Sequence, residues 1–175
     1  MSVGIGSALI ACTGGTDSVL ERALLRPGDL GGDWTVSTPY MIDAGTSGRV
    51  VACHATASQS RTLSHRIAGN KARVVQQTSV AVANAANCFA ELRTELARIR
   101  GAREVTAPAV HSQVLVWTVP SPGSFSDTYL AILQSDSVAV FLNFGPTDEV
   151  EYDRELSRII RAADTRLNAA VAPSQ

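Results

Sequence analysis

The sequence lacks an excess of charge of either sign. Its 175 residues include 15 basic and 16 acidic ones, so the formal net charge is −1 at pH 7. Proteins that bind nucleic acid usually have a basic excess on one face, and this balance therefore argues against a nucleic-acid partner. Charged residues make up only 18% of the chain and apolar residues 45%, which is typical of a globular protein. The length fits one domain of ordinary size.

Motifs of nucleophilic catalysis are also missing. The chain has three histidines, His54, His65 and His111, and no Gly-x-Ser-x-Gly nucleophile elbow. A catalytic Ser or Cys needs a His and an orienting acid beside it, and no sequence motif here indicates such a set. We therefore predict that the protein is not an enzyme and has no catalytic residues.

Cofactor and metal motifs are absent in the same way. Neither Gly14-Gly15 nor Gly31-Gly32 belongs to the Gly-Lys-Ser/Thr pattern of a phosphate-binding loop. Cys53 and His54 are neighbours, but no Cys-x-x-Cys spacing and no second ligand pair accompany them. We expect neither a cofactor nor a metal site.

The N-terminal apolar segment, Ser2–Ala11, is too short to cross a bilayer as a helix, which needs about 20 residues. Its length fits the apolar region of a signal peptide. It ends in Leu9-Ile10-Ala11-Cys12, which matches the bacterial lipobox: a small residue precedes the cleavage site, and a thiol follows to receive diacylglycerol. The sequence thus predicts a signal peptide over residues 1–11, lipid attachment at Cys12 and a polar tether over residues 12–17.

Lipidation places the protein on the extracytoplasmic face of the cell membrane. Two acyl chains, palmitate among them, give a stable anchor because each buried CH₂ contributes about 0.8 kcal/mol. No basic residue precedes Cys12, although signal peptides normally begin with one. We therefore expect the true start to lie upstream, with a basic segment. The alternative is a buried N-terminal strand that ends in a cysteine.

The cysteine count agrees with export. Of the three cysteines, a lipidated Cys12 leaves Cys53 and Cys88, which can pair outside the cytoplasm. Closing a loop of this size contributes about 3 to 4 kcal/mol in a chain-entropy model. The alternative is two buried free thiols, which are common in protein cores.

Periodicity predicts helices alternating with strands. Two strands joined by Gln134–Ser137 are typical of a β-hairpin, so we predict an antiparallel pair. The fold class is therefore α+β: an antiparallel sheet packed by two to three helices in a single domain, residues 18–168, with a flexible tail over residues 169–175. The predicted helices are 18–25, Ala85–Ile99 between caps at Asn84 and Gly101, and one from near Asp148; the strands are Trp34–Val36, Arg49–Cys53, Ala72–Val82, Gln113–Val119, Asp127–Leu133 and Val138–Phe144. Residues 40–48 are predicted as loop, and 55–70 has no readable pattern.

Several local sequences follow one another in the same order as in a known protein family. They are Leu24-Leu25, Asp29-Leu30-Gly31-Gly32-Asp33-Trp34, Ala85–Ile99 with Cys88, the hairpin Tyr129–Phe144 and the final helix. In order and spacing the chain after Cys12 resembles the actinobacterial sensor-domain lipoproteins, a module that is also the extracellular part of an H-type mycobacterial Ser/Thr receptor kinase. The resemblance implies an antiparallel sheet flanked by helices, with a cleft for an unknown ligand.

This chain departs from that family in its number of disulfides. The relatives often carry two disulfides, whereas this sequence can form only one, which leaves residues 55–70 less constrained. No kinase module is present, so any signal would pass through another protein.

Aromatic and amide side chains are the candidates for lining a ligand cleft. Trp34, Trp117 and Tyr129 could face a ligand, although each is more often part of a core. Gln76 and Gln77 are adjacent on a predicted strand, so one must lie on each face of the sheet. A glutamine on a covered face needs a polar partner, which indicates a polar pocket.

Together these patterns favour a membrane-anchored lipoprotein with a non-catalytic ligand-binding or sensor domain. Its ligand would be a small molecule, a lipid or an envelope fragment. One alternative is a module that docks on an envelope protein. Another is an envelope hydrolase, which would need one of the three histidines beside a serine and an acid.

Overall fold

The predicted α+β class is confirmed by the computed structural model, which describes residues 14–37, 53–66, 72–120, 128–135, 137–145 and 152–172. These residues form seven strands and four helices, of which α2 is a single turn. In chain order the elements are α1 (Gly14–Ala23), α2 (Pro27–Leu30), β1 (Trp34–Ser37), β2 (Ala57–Arg66), β3 (Ala72–Ala81), α3 (Ala85–Arg98), β4 (Arg103–Val105), β5 (Gln113–Val119), β6 (Thr128–Ser135), β7 (Val138–Gly145) and α4 (Tyr152–Val171).

The seven strands form one antiparallel sheet in the order β1-β2-β3-β7-β6-β5-β4. The predicted hairpin is confirmed, with β6 and β7 paired from Tyr129↔Phe144 to Ser135↔Val138. It lies in the middle of the sheet because β7 pairs with β3 on its other side. Helix α3 connects β3 to the far edge strand β4, and it therefore runs over one face of the sheet.

One face of the sheet is covered by α1, α2 and α4, and we call it the α1/α4 face. Helix α4 is amphipathic, and its apolar stripe is buried throughout. Its members are Leu156, Ile159, Ile160, Ala163 and Leu167. They pack with Leu20 of α1 and with strand residues such as Val75 and Phe144 in a single core cluster. Burying each large aliphatic side chain contributes about 1.5 to 3 kcal/mol.

The opposite face, which we call the α3 face, is packed by α3. Leu92 and Leu96 of this helix join Trp117 and Phe141 of the sheet in a second core cluster. The predicted cap is present, because the Asn84 side chain accepts a hydrogen bond from the Asn87 N–H at 3.3 Å. Gly101 follows the helix with a φ of +83°, a conformation that glycine adopts at no steric cost. The sheet thus has a core on both faces.

Both ends of the domain differ from the prediction. Helix α1 begins at Gly14 and not at Ser18, so the predicted tether contributes four residues to the helical backbone. Helix α4 continues to Val171, beyond the predicted start of the flexible tail at residue 169. The last turn is held because Ala170 is buried and its carbonyl accepts a hydrogen bond from Arg22 at 3.3 Å.

The remaining differences concern strands. Strand β2 lies in the unreadable region 55–70 and is paired by β1 on one side and β3 on the other. The short β4 was not predicted. Five predicted features lie outside the described residues. They are the signal peptide, Cys12, the loop 40–48, the part of the strand from Arg49 that precedes Cys53, and the helix start at Asp148. Within the part of the chain that the structure describes, no helix is long and apolar enough to span a membrane.

Candidate functional site

The predicted pairing of Cys53 with Cys88 is confirmed. The disulfide joins the turn before β2 to the first turn of α3, and the two cysteines are 35 positions apart in the sequence. Both residues are buried in the α3-face cluster. The bridge therefore ties α3 covalently to the strand region that it covers.

The five residues predicted to line a cleft lie on two different faces of the sheet. Trp34, Gln77 and Tyr129 lie on the α1/α4 face, whereas Gln76 and Trp117 lie on the α3 face. The expected alternation of the two glutamines is thus observed. The structure does not bring all five residues to one site.

Gln77 has a structural role on the α1/α4 face. It is fully buried, and its side-chain Oε1 accepts a hydrogen bond from the Leu25 N–H at 2.7 Å. Its Nε2 donates to the Leu25 carbonyl at 2.9 Å. Arg61 donates to the same carbonyl at 2.9 Å and forms an ion pair with Glu21 of α1. These contacts satisfy buried backbone groups where α1 ends, so both ends of the Gln77 amide are engaged within the fold.

The two aromatic residues on that face belong to the core. Trp34 is buried in the cluster under α1 and α4, and its ring lies against the His65 ring with centroids 5.6 Å apart. Tyr129 is partly buried and packs against the same cluster. Neither residue lies on the face of Gln76 and Trp117.

The α3 face has a row of cross-strand neighbours with unusual polarity. The pairs are Thr62↔Gln76, Gln76↔Asn143, Asn143↔Leu130 and Leu130↔Trp117, so the row runs across β2, β3, β7, β6 and β5. Four strand spacings of roughly 4.8 Å give it a length of about 19 Å. Thr62, Asn143 and Trp117 are buried, so this row places polar groups in a region that the sequence otherwise fills with apolar side chains.

Three buried polar atoms on this face have no hydrogen-bond partner among the described residues. They are Gln76 Oε1, Trp117 Nε1 and, on β6, Gln134 Oε1. Trp117 and Gln134 are 5% and 3% exposed, so solvent does not compensate for the missing bonds. Leaving a buried donor or acceptor unpaired costs about 1 to 3 kcal/mol, and such groups in a folded protein call for an explanation. A buried water molecule or a bound ligand with hydrogen-bonding groups supplies one.

Hydroxyl groups extend the polar region over β2 and β3. Ser58, Ser60, Thr62 and Ser64 alternate along β2 on the α3 face, with Thr78 beside them on β3. Ser60 and Thr78 share a hydrogen bond of 2.9 Å between their hydroxyls. Ser58 and Ser60 are exposed, while Thr62 and Thr78 are buried. The hydroxyls therefore lead from the solvent toward Gln76.

Comparison with known proteins does not identify the site. The chain matches no family model and no curated protein. The α3 face is therefore interpreted from its own geometry.

The three histidines lie in three separate places. His54 is exposed and its Nε2 is 4.0 Å from Glu91, and His65 packs on Trp34. His111 is 3.3 Å from a buried aspartate, Asp164, through Nδ1. No described group of three or more His, Cys, Asp or Glu side chains could hold a metal ion.

The contacts of Asp164 are those of a structural anchor. Its carboxylate accepts hydrogen bonds from the backbone N–H groups of His111 at 3.0 Å and Ser112 at 2.9 Å, and from Asn168 Nδ2 at 2.9 Å. The Ser112 hydroxyl contacts Asn168 at 3.3 Å and bonds to the same carboxylate. A nucleophile would instead have to bond to the imidazole. The cluster fastens the segment before β5 to α4.

The buried Asp164 and the half-buried Asp29 have lowered pKa values. Burial by itself would raise the pKa of Asp164, but the hydrogen bonds from Ser112 and His111 outweigh it and lower the pKa below the usual value. Burial likewise opposes the lowered pKa of Asp29, which results from hydrogen bonds with Arg166 of α4 and the Arg26 N–H, each at 2.6 Å. Both carboxylates therefore favour the folded state in their ionised form.

Acid is expected to destabilise the fold through these two carboxylates. Because their pKa values are lower in the folded than in the unfolded chain, their contribution is present above the usual aspartate pKa of about 3.9 and is lost as the pH falls through the lowered values. Urea denaturation between about pH 5 and pH 2 should show a falling free energy of unfolding. The Asp164→Asn variant should be about 1 to 3 kcal/mol less stable at neutral pH and should show a shallower decline.

The matched control is Asp33→Asn, because Asp33 is exposed. It should keep both the stability and the pH profile of the unmodified chain. An Asp164→Asn profile parallel to that of the unmodified chain would show that this carboxylate does not contribute to the acid sensitivity.

Proposed function

We propose that this protein is a membrane-anchored extracytoplasmic lipoprotein whose domain binds a ligand on the α3 face without catalysing a reaction. The observation that carries the binding role is the pair Gln76 Oε1 and Trp117 Nε1, buried in one cross-strand row without partners among the described residues. A ligand that formed hydrogen bonds with these two atoms would offset the cost of leaving them unpaired in the unbound protein. In this proposal the domain acts as a sensor of the kind that the sequence resembles.

Two features support the extracytoplasmic location. The segment Leu9–Cys12 has the residue pattern of a lipobox. The disulfide between Cys53 and Cys88 is of a type that persists in oxidising compartments and is rare in the cytosol. The membrane anchor in this proposal is the lipid on Cys12.

The positions of the histidines support a non-catalytic role. His54 and His111 lie outside the α3-face row, and His65 packs against Trp34 on the opposite face of the sheet. The polar groups of the row are amides, hydroxyls and an indole, none of which is a good general base near neutral pH. These groups suit recognition better than proton transfer.

Mass spectrometry of the native protein, extracted from membranes without reduction, tests the location. We expect an N-terminus at an acylated Cys12 and a crosslink between the peptides that contain Cys53 and Cys88. The Cys12→Ser variant, which has no thiol to acylate, should lose both the lipid and the membrane association. An unprocessed and unacylated chain with free thiols would reject the lipoprotein assignment.

A further inference from the structure

We propose that the outer surface of α1, α2 and α4, which we call the helical layer, lies against the anionic phospholipid headgroups of the membrane that anchors the protein. This inference rests on the proposed lipidation of Cys12 and adds the surface of the domain that faces the membrane. It follows from three properties of the described residues: the position at which α1 begins, the charges that the helical layer exposes, and the pairing of its acidic side chains.

The first property is the start of α1. The helix begins at Gly14, two positions after Cys12, and two residues of chain span at most about 7 Å. A lipid on Cys12 therefore holds the N-terminus of α1 close to the headgroups. Helix α1 packs beside α4, and Arg22 donates a hydrogen bond to the Ala170 carbonyl in the last turn of α4 at 3.3 Å. The lipid is thus attached to the helical layer and not to the α3 face.

The second property is the charge that the helical layer exposes. The exposed side of α4 carries Arg154, Arg158 and Arg161, and no acidic side chain that the structure describes on this helix is exposed. Arg22 of α1 and Arg26, which directly precedes α2, are exposed as well. The whole chain has a net charge of −1, so attraction to an anionic surface has to come from a local excess of this kind.

The third property is that the described acidic side chains of the helical layer are engaged within the fold. Each of them forms an ion pair with an arginine or is buried. The ion pairs are Glu21 with Arg61, Asp29 with Arg166, and Glu155 with Arg73 and Arg158, and the buried acid is Asp164. These acids therefore do not neutralise Arg22, Arg154 and Arg161, whose positive charge faces the solvent.

The arginines at the end of α3 lie far from the anchor. Helix α1 runs antiparallel to β3, because the Leu20 carbonyl accepts a hydrogen bond from Ser79. Leu25, further along the chain, bonds to Gln77. The N-terminus of α1 therefore points to the end of the sheet where β3 ends and β5 begins. Helix α3 instead leads into β4, which pairs with the last residues of β5 at the opposite end.

This orientation leaves the α3 face on the side of the sheet that points away from the membrane. The exposed Ser58 and Ser60 of that face would then be open to the surrounding solvent. The membrane contact and the proposed ligand site therefore do not compete for the same surface.

Arginine-specific footprinting of the full lipidated chain tests this orientation. The protein is placed on vesicles of phosphatidylcholine alone or of phosphatidylcholine mixed with phosphatidylglycerol, and mass spectrometry follows the modification of each arginine by phenylglyoxal. An arginine at an anionic surface contributes about fivefold to the binding equilibrium, so Arg22 and Arg161 should be modified about five times more slowly on the mixed vesicles. The exposed Arg98 and Arg100 should react equally on both. High salt should remove the protection.

Two matched double variants connect the protection to the charge of the helical layer. Arg154→Gln combined with Arg161→Gln removes two positive charges from α4, and it should abolish most of the protection of Arg22. Arg98→Gln combined with Arg100→Gln removes the same charge near the end of α3, and it should leave that protection unchanged. All four replaced side chains are exposed, and glutamine has nearly the helix propensity of arginine, so both variants should fold. Circular dichroism checks this.

The outcomes separate this inference from the proposed function. Equal modification of Arg22 and Arg161 on both vesicles, with an acylated Cys12 in the same spectra, would overturn the docking surface and leave the lipoprotein assignment standing. Protection of Arg98 and Arg100 in their place would assign the contact to the α3 side and overturn it as well. Stronger protection by soluble polyglutamate than by phosphatidylglycerol would point to an acidic polypeptide and overturn the membrane as partner. An unacylated Cys12 would reject both the lipoprotein assignment and this inference.

Discussion

Replacing Cys53 and Cys88 together by alanine should lower the free energy of unfolding by about 3 to 4 kcal/mol. The bridge joins positions 35 residues apart, and in a chain-entropy model a loop of that size restricts the unfolded chain by this amount. Alanine is the suitable replacement because both cysteines are buried, at 3% and 1% exposure, and a serine would bury an extra hydroxyl. For a domain of this size the melting temperature should fall by roughly 10 °C, measured by circular dichroism without reductant.

The same experiment includes its own control. A reductant should lower the melting temperature of the unmodified chain toward that of the double variant, and it should leave the double variant unchanged. Near-equal melting temperatures for the two non-reduced proteins would show that the bridge does not hold the folded state. The single variants are expected to be less informative, because each leaves a free thiol in the α3-face cluster.

The bridge also bears on the site. Its two cysteines lie in the cluster that includes Trp117, and Cys88 is in the first turn of α3. Helix α3 is attached to the sheet by its apolar side chains, Leu92 and Leu96 among them, and by this covalent bond. Unpaired buried polar atoms lower the free energy of unfolding of the domain, and the disulfide offsets part of that loss.

The sequence predicted those elements whose stabilising pattern is local. Helix α3 has a cap and an apolar stripe within fifteen residues, Asn84–Arg98, and the observed bounds differ from the prediction only at the last residue. Strand β5 was predicted at its observed bounds, and the hairpin of β6 and β7 to within about two residues at each end. Helix α1 was predicted too short because Gly14 and Gly15 argue against a helix, and packing on α4 outweighs that preference.

Strand β2 was missed for a reason that bears on function. Its sequence, Ala57–Arg66, has one large aliphatic residue, Leu63, and otherwise small or polar side chains. An apolar alternation cannot be read from a strand with hydroxyls on one face. The strand forms because β1 and β3 pair with it along both edges. Local rules tend to fail at sites that serve another purpose, and this strand supplies the hydroxyls of the candidate site.

The cleft residues could be predicted only in part. The alternation of Gln76 and Gln77 follows from strand geometry alone. Which of them meets a partner depends on α1 and on the pairing of β3 with β7, and these contacts join residues that are distant in the sequence. Asn143 was not predicted because it lies within an otherwise apolar strand, and only the sheet order places it between Gln76 and Leu130. Trp34 and Tyr129 could not be assigned to a face because both faces of the sheet are covered.

The two adjacent glutamines should respond very differently to the same change. Gln77→Ala removes two hydrogen bonds and leaves the Leu25 N–H without its partner, while the Leu25 carbonyl keeps its bond from Arg61. Gln76→Ala removes an oxygen that has no partner among the described residues. Both changes truncate a glutamine to alanine in β3, and the difference between them combines the lost hydrogen bonds with the deeper burial of Gln77. Gln77→Ala should lower the free energy of unfolding by about 2 to 4 kcal/mol more than Gln76→Ala does, as measured by urea denaturation without ligand.

The comparison also tests why Gln76 is present. A glutamine kept for stability would cost free energy when it is removed, whereas one kept for a ligand costs little in the unbound protein and much in binding. Gln59→Ala on β2 serves as the reference for truncating a half-buried strand glutamine. If Gln76→Ala destabilises the chain as much as Gln77→Ala does, then Gln76 is satisfied in the unbound protein and the α3-face row is part of the scaffold. If Gln76→Ala matches the reference, the unpaired oxygen is free for a ligand, because the fold does not depend on it.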